Sequence, residues 1–159
     1  MRGGAGGSVP WLTEDLPGFG ERLGAVLFRV PGEIGRDDAA LDVLLAAWPP
    51  AMPLVVELQD PGWHVDETFE RLRAAGAALC ATDLDGEDEP ALRRTGGFLY
   101  LRLRRTSYDE TGLDTWARRL APFVADGMDA FVVLRHDEDG RNALLAASFP
   151  TRVGRVLSG

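Results

Sequence analysis

The stretch "PLVVELQDPGWH", residues 53 to 64, sets Glu57 in the middle of strand-forming apolar residues and ends in Gln59, Asp60 and Trp63. A carboxylate inside such a strand carries a large desolvation cost unless it is paired or used. Four other β-type runs also turn polar toward their ends, with Arg29, Asp83, Arg102 and His136. Together these residue types could support acid–base chemistry. Glu57 and Asp83 on consecutive strands could serve as general base and acid if their surroundings separate their pKa values. Arg29 and Arg102 could hold a phosphate or carboxylate through paired hydrogen bonds. His136 could shuttle a proton, or be a hydrogen-bonded histidine beside Asp137. Trp63 could stack on a sugar or base, or close a lid over the core. One histidine and two acids on separate strands fall short of a metal motif, so no metal is assigned and no cofactor is named. The acidic run "DLDGEDEP" lacks the spacing of a calcium loop and reads as a solvated loop, and His64 as a surface residue.

The elements that must carry these groups alternate in type. Strands are predicted over 24 to 30, 53 to 60, 77 to 84, 98 to 105 and 129 to 136. Helices are predicted over 37 to 48, 65 to 76, 113 to 127 and 141 to 149, with Asp66 a candidate cap and Gly76 a candidate stop for the second. Charge, Pro and Gly from Asp85 to Gly97 replace a helix by a loop or a single turn. The glycine-rich opening, residues 1 to 8, is expected to be a disordered leader, with a single domain over 9 to 159. Strands alternating with helices imply parallel βαβ units, in a doubly wound sheet or in part of a (β/α)₈ barrel. Chain length favours the open sheet, but no glycine-rich phosphate loop follows the first strand.

Bulk composition narrows the partners. The 159 residues hold 45% hydrophobic residues, enough for a core, and a net charge of −8 argues against nucleic acid and anionic membranes. Every basic residue is arginine, which reads as codon usage rather than function. Cys80 alone makes no intramolecular disulfide, and no apolar run reaches the 18 or so residues of a membrane span. A cytoplasmic protein is expected.

Strand alternation sorts the polar groups by face. Glu57 and Gln59 share a face with Val55, Arg102 and Arg104 with Tyr100, Arg29 with Leu27, Asp83 with Ala81, and His136 with Leu134. The polar face is assigned opposite the helices in all five strands. Two readings of it stay open: an internal salt-bridge layer, or a ligand site at the carboxyl ends of the strands, where parallel α/β proteins place theirs.

The segments "LGAVLFRVPGE", "VVELQDPGW", "AALCATDLDG", "FLYLRLR", "LDTWARRL" and "FVVLRHDEDGRNA" resemble, in order and spacing, the C-terminal part of the YecE-like family, also called domain of unknown function 72. The resemblance covers roughly Val9 to Ser148. It implies a partial TIM-type (β/α) barrel, about five parallel strands with helices on the outer face, corresponding to the fourth to eighth strands of the family. Matched residue by residue, Glu57, Trp63, Asp83, Arg102, His136, Asp137, Gly140, Asn142 and Ala143 fall on family positions. This chain departs from the family with Arg29 for glutamine, Gln59 for arginine, and Arg104-Arg105 for His-Gly. The expectation is a barrel protein handling a small polar, phosphorylated or sugar-like substrate. Glu57, Asp83 and His136 would be catalytic, and Arg29, Gln59, Trp63, Arg102 and Asn142 would bind. Whether it is an enzyme is left undecided. The alternative is a non-catalytic half barrel that self-associates through exposed sheet edges or pairs with a missing N-terminal half, or a truncated fragment.

Overall fold

The computed structural model describes residues 5–135 and 137–159. The chain divides into two compact units, Met1–Leu79 and Cys80–Gly159. In the first, helix α1 (Ala5–Thr13) and a 3-10 segment (Leu16–Arg22) precede β1 (Val26–Val30), α2 (Asp38–Ala47), β2 (Leu54–Leu58), a 3-10 turn (Pro61–Trp63) and α3 (Asp66–Ala74). The division falls inside β3 (Ala78–Asp83), and the second unit continues with β4 (Phe98–Leu103), α4 (Glu110–Ala125), β5 (Asp129–Leu134) and α5 (Arg141–Ser158).

In the first unit, alternate residues of β2, Leu54, Val56 and Leu58, pack with Leu41 and Leu44 of α2, Phe69 and Leu72 of α3, and Leu79. Val26, Phe28 and Val30 of β1 join them, which leaves Leu27 and Arg29 on the other face. The Asp37 carboxylate caps α2 by accepting from the Ala40 amide at 2.9 Å. The cap of α3 is Val65 rather than Asp66, which lies in the first turn, where its charge suits the helix dipole. Gly76 does end that helix: its φ of 68° is left-handed, and the bonds Gly76 N to Arg73 O and Ala77 N to Leu72 O close the last turn. The leader expected over 1 to 8 differs from what is seen. Met1 to Gly4 lie outside the described residues, while residues 5 to 8 already belong to α1. Burial of Val9 in the first core outweighs the poor helix propensity of its glycines.

In the second unit, Ala81, Leu99, Leu101 and Leu103 pack against Leu113, Trp116 and Leu120 of α4 and Phe149 and Val153 of α5. Helix α4 starts at Glu110, earlier than expected, because Asp109 caps it through the Gly112 amide at 2.7 Å. The segment between β3 and β4 holds no helix, as its composition suggests.

All five strands are parallel, in the order β1-β2-β3-β4-β5. A doubly wound sheet reverses its order at a switch point, whereas here every crossover steps the same way. That winding is the topology of a (β/α) barrel, and the fold is a partial TIM-type barrel.

Candidate functional site

The candidate residues fall into both units and are taken unit by unit. In the first, Arg29 and Glu57 are direct partners in the β1–β2 register. Both face away from the α2–α3 core, as alternation predicts. Glu57 is 2% exposed. Its Oε2 lies 4.0 Å from Arg29 Nε, and the Arg29 side chain is 57% exposed. Arg29 also donates through Nη2 to Gln59 Oε1 at 3.0 Å, so Arg29, Glu57 and Gln59 do come together. The arginine lies over the carboxylate but stays accessible to a ligand.

Trp63 is elsewhere. It is 2% exposed inside the first core, and its indole N–H donates to Ile34 O at 3.0 Å. No face of the ring is open for stacking, and the lid reading describes it. His64 is exposed but bonded, its Nε2 lying 2.9 Å from Leu58 O.

In the second unit, Asp83 lies on the helix side of β3, not on the face assigned to it. Its register partner is Leu103, and it reaches α4 through Trp116. Its carboxylate is fully buried and satisfied by three donors: Arg105 Nε to Oδ1 at 2.8 Å, and Tyr108 OH and Trp116 Nε1 to Oδ2 at 2.8 and 3.1 Å. The hydrogen bond to Asp83 raises the pKa of Arg105. Burial, reinforced by Asp83, pushes the Tyr108 phenol far above its usual range, so it stays a donor. Such a carboxylate is occupied with holding structure, which separates its role from that of Glu57. Tyr108 was not singled out in the sequence, and Arg105 stood out only as a departure from the family; their signal was a Tyr and an Arg in the "RRTSYDE" loop following an Asp-ended strand.

The same loop is stapled a second time. Asp85 accepts from Thr106 Oγ1 at 2.6 Å and from the Thr106 amide at 2.8 Å, and these bonds lower its pKa. A carboxylate with a depressed folded pKa stabilises fully above its unfolded value, about 4, and loses that contribution as pH falls through the lower folded value. Thr106→Ala is expected to move the Asp85 titration up toward the ordinary value, which carboxyl-carbon NMR measures directly; an unmoved midpoint would refute the staple.

Arg102 shares its face of β4 with Tyr100, opposite Leu101 and Leu103, and is register partner of Val133. Asn142, in the first turn of α5, donates through Nδ2 to Arg135 O at 2.7 Å, and its amide donates to Asp137 Oδ2 at 2.9 Å. It ties the end of β5 to the helix that follows. His136 lies outside the described residues. Among the described residues no three His, Cys, Asp or Glu side chains are grouped to hold a metal ion, and no helix is long and apolar enough to cross a membrane.

The family described as "Protein of unknown function DUF72" matches over residues 8–158. Two solved structures share the fold. A DUF72 family protein from Thermotoga maritima superposes with a TM-score of 0.73 at 20% identity, covering 91% of this chain and 63% of that one. A DUF72 family protein from Enterococcus faecalis gives a TM-score of 0.73 at 15% identity, covering 95% of this chain and 68% of that one. The chain therefore spans less than two thirds of the Thermotoga protein. No curated protein matches.

Proposed function

We propose, from the premise that this chain belongs to the DUF72 family, that it binds a small polar, sugar-like or phosphorylated molecule at the carboxyl ends of its strands, with Glu57 as the proton-transferring group. The observation that carries this reading is the pairing of a carboxylate 2% exposed with an arginine whose side chain is 57% exposed. In the structural pair of the second unit Arg105 is hydrogen-bonded to Asp83 at 2.8 Å, whereas Arg29 lies 4.0 Å from Glu57 and is the more exposed arginine. Here the guanidinium is exposed to an incoming anionic ligand while the carboxylate beneath it is shielded from water, an arrangement that suits proton transfer to a bound molecule. Gln59, already bonded to Arg29, would orient the ligand by exchanging that bond for one to substrate.

The test is a thermal-shift screen of sugar phosphates and hydroxy acids against wild type, Glu57→Gln and Arg29→Ala. A compound that raises the wild-type Tm and no longer does so in both variants supports the reading. Variants that bind that compound unchanged and only melt lower would return Glu57 to a structural ion pair.

A second reading has an observation of its own. Strand β5 has no partner beyond it among the described residues, and Phe131 and Val133 on it are 38% and 42% exposed. A groove of about 480 Å³ runs beside it, lined by Phe131, Val132, Phe149, Val153 and Leu157 among others. Unpaired, apolar edge strands recruit other strands. On this reading the chain is a partial barrel that self-associates, and light scattering would show more than one copy. A monomer of 17.2 kDa at micromolar concentration would refute it.

A further inference from the structure

We infer that the carboxyl ends of β4 and β5 carry a phosphate-binding site made by Arg104 and Arg135. This site lies wholly in the second unit and is independent of the Arg29–Glu57 reading.

The register places these residues side by side. Leu103 pairs with Leu134 at the end of the β4–β5 ladder, and the ladder runs one step further through the bond from Arg135 N to Leu103 O at 2.8 Å. Arg104 is likewise held as an extension of β4, its amide donating to Asp83 O at 3.0 Å. Leu103 and Leu134 face the helices, so Arg104 and Arg135, the next residues of each strand, face the other way. Arg105 confirms the alternation, since it reaches back to Asp83 on the helix side.

Two arginines on neighbouring strands therefore emerge on one face, their backbones a strand spacing of about 4.8 Å apart. Like charges directly opposite each other in a sheet are destabilising. Arg102, two residues before Arg104 on the same face, adds a third positive charge, although it has partners of its own. Three carboxylates near the strand ends have donors of their own. Asp83 is taken by Arg105, Tyr108 and Trp116, and Asp137 accepts from the Asn142 amide. Asp85 is bonded twice to Thr106 through one oxygen, and Arg105 and Arg135 both act on its charge. In a chain whose net charge is −8, this strand end sets two arginines side by side.

A dianion suits two adjacent guanidinium groups best. One guanidinium satisfies a carboxylate bidentately, whereas a tetrahedral phosphate offers oxygens to two forks at once. Arg104 is half-buried and Arg135 exposed, so a ligand can reach both while one is already restrained.

The experiment titrates the full chain with inorganic phosphate by calorimetry at low ionic strength. Acetate at the same ionic strength is the comparison, and Arg104→Gln, Arg135→Gln, the double variant and the remote Arg155→Gln are run alongside. Each single variant at the site is expected to weaken phosphate binding about tenfold or more, since a hydrogen bond to a charged group is lost. The double variant is expected to abolish binding, Arg155→Gln to match wild type, and acetate not to bind. Without phosphate, the double variant should melt at or above wild type, because a repulsion has been removed. Phosphate binding that survives in the double variant, or acetate binding equal to phosphate, would overturn the assignment. A double variant that melts well below wild type without phosphate would also overturn it, showing that the arginines hold the fold.

Discussion

Asp83→Ala is expected to destabilise the protein by about 3–5 kcal/mol, the cost of leaving the groups that surrounded a buried charge without their partner. Three donors converge on this one carboxylate, and their elements differ: Arg105 and Tyr108 come from the loop after β4, Trp116 from the middle of α4. Truncation strands a buried indole N–H and a part-buried phenol, and it deprives Arg105 of the partner that raises its pKa. Such a loss is a large fraction of the 5–15 kcal/mol typical of a whole domain. Asp83→Asn retains an acceptor for Trp116 or Tyr108 and should lie between Ala and wild type. Tyr108→Phe removes one bond and should cost about 1 kcal/mol. Urea unfolding measures all three, and a cost below about 1 kcal/mol for Asp83→Ala would show that the network does not support the second unit.

Trp63→Ala is expected to cost a similar 3–5 kcal/mol, for a different reason. The side chain lies within the first core with 2% exposure, and its removal leaves a ring-sized cavity as well as an unpaired Ile34 carbonyl. Trp63→Phe keeps most of the volume and loses the hydrogen bond, so its cost should be nearer 1 kcal/mol. The pair of variants separates packing from recognition. A stacking platform would lose ligand binding on Trp63→Ala with stability intact. A lid over the core would unfold more easily and, as Trp63→Phe, bind as before.

Much of the fold was legible in the sequence because the strands are short apolar runs separated by amphipathic helices, and all five β-type runs are strands. Gly76 announced a helix end through chemistry that acts within a few residues, whereas the cap expected at Asp66 lies one residue earlier, at Val65. What was missed depends on contacts distant in sequence. Helix α1 is built on glycines, and only the core that receives Val9 makes it a helix. Helix α5 runs on to Ser158 past Pro150, well beyond the short helix expected, because Phe149 and Val153 pack on the second core.

The site was legible in the same uneven way. In β2 the bulky Leu54, Val56 and Leu58 mark the core face, so Glu57 and Gln59 were assigned correctly by elimination. In β3 the residues are Ala, Leu, Cys, Ala and Thr, small or apolar on both faces, and parity alone does not say which side meets a helix. Pairing with the leucines of β4 decides it, which is why Asp83 belongs with Trp116 rather than on the face of Glu57. Strand order, too, was not written in composition: an open sheet and a barrel use the same alternating elements, and only the uniform direction of the crossovers distinguishes them.

The neighbouring arginines at 104 and 105 make one last point about how information is stored in this chain. The two side chains are chemically identical, yet one is bound to a buried aspartate and the other emerges on the opposite face of the strand. Their difference resides in counting: deleting a single residue between Leu103 and Thr106 would leave one arginine where two distinct tasks are performed. The spacing from the last leucine of β4 to Thr106, fixed at one end by the ladder and at the other by Asp85, is therefore as much a part of this corner as the guanidinium groups themselves.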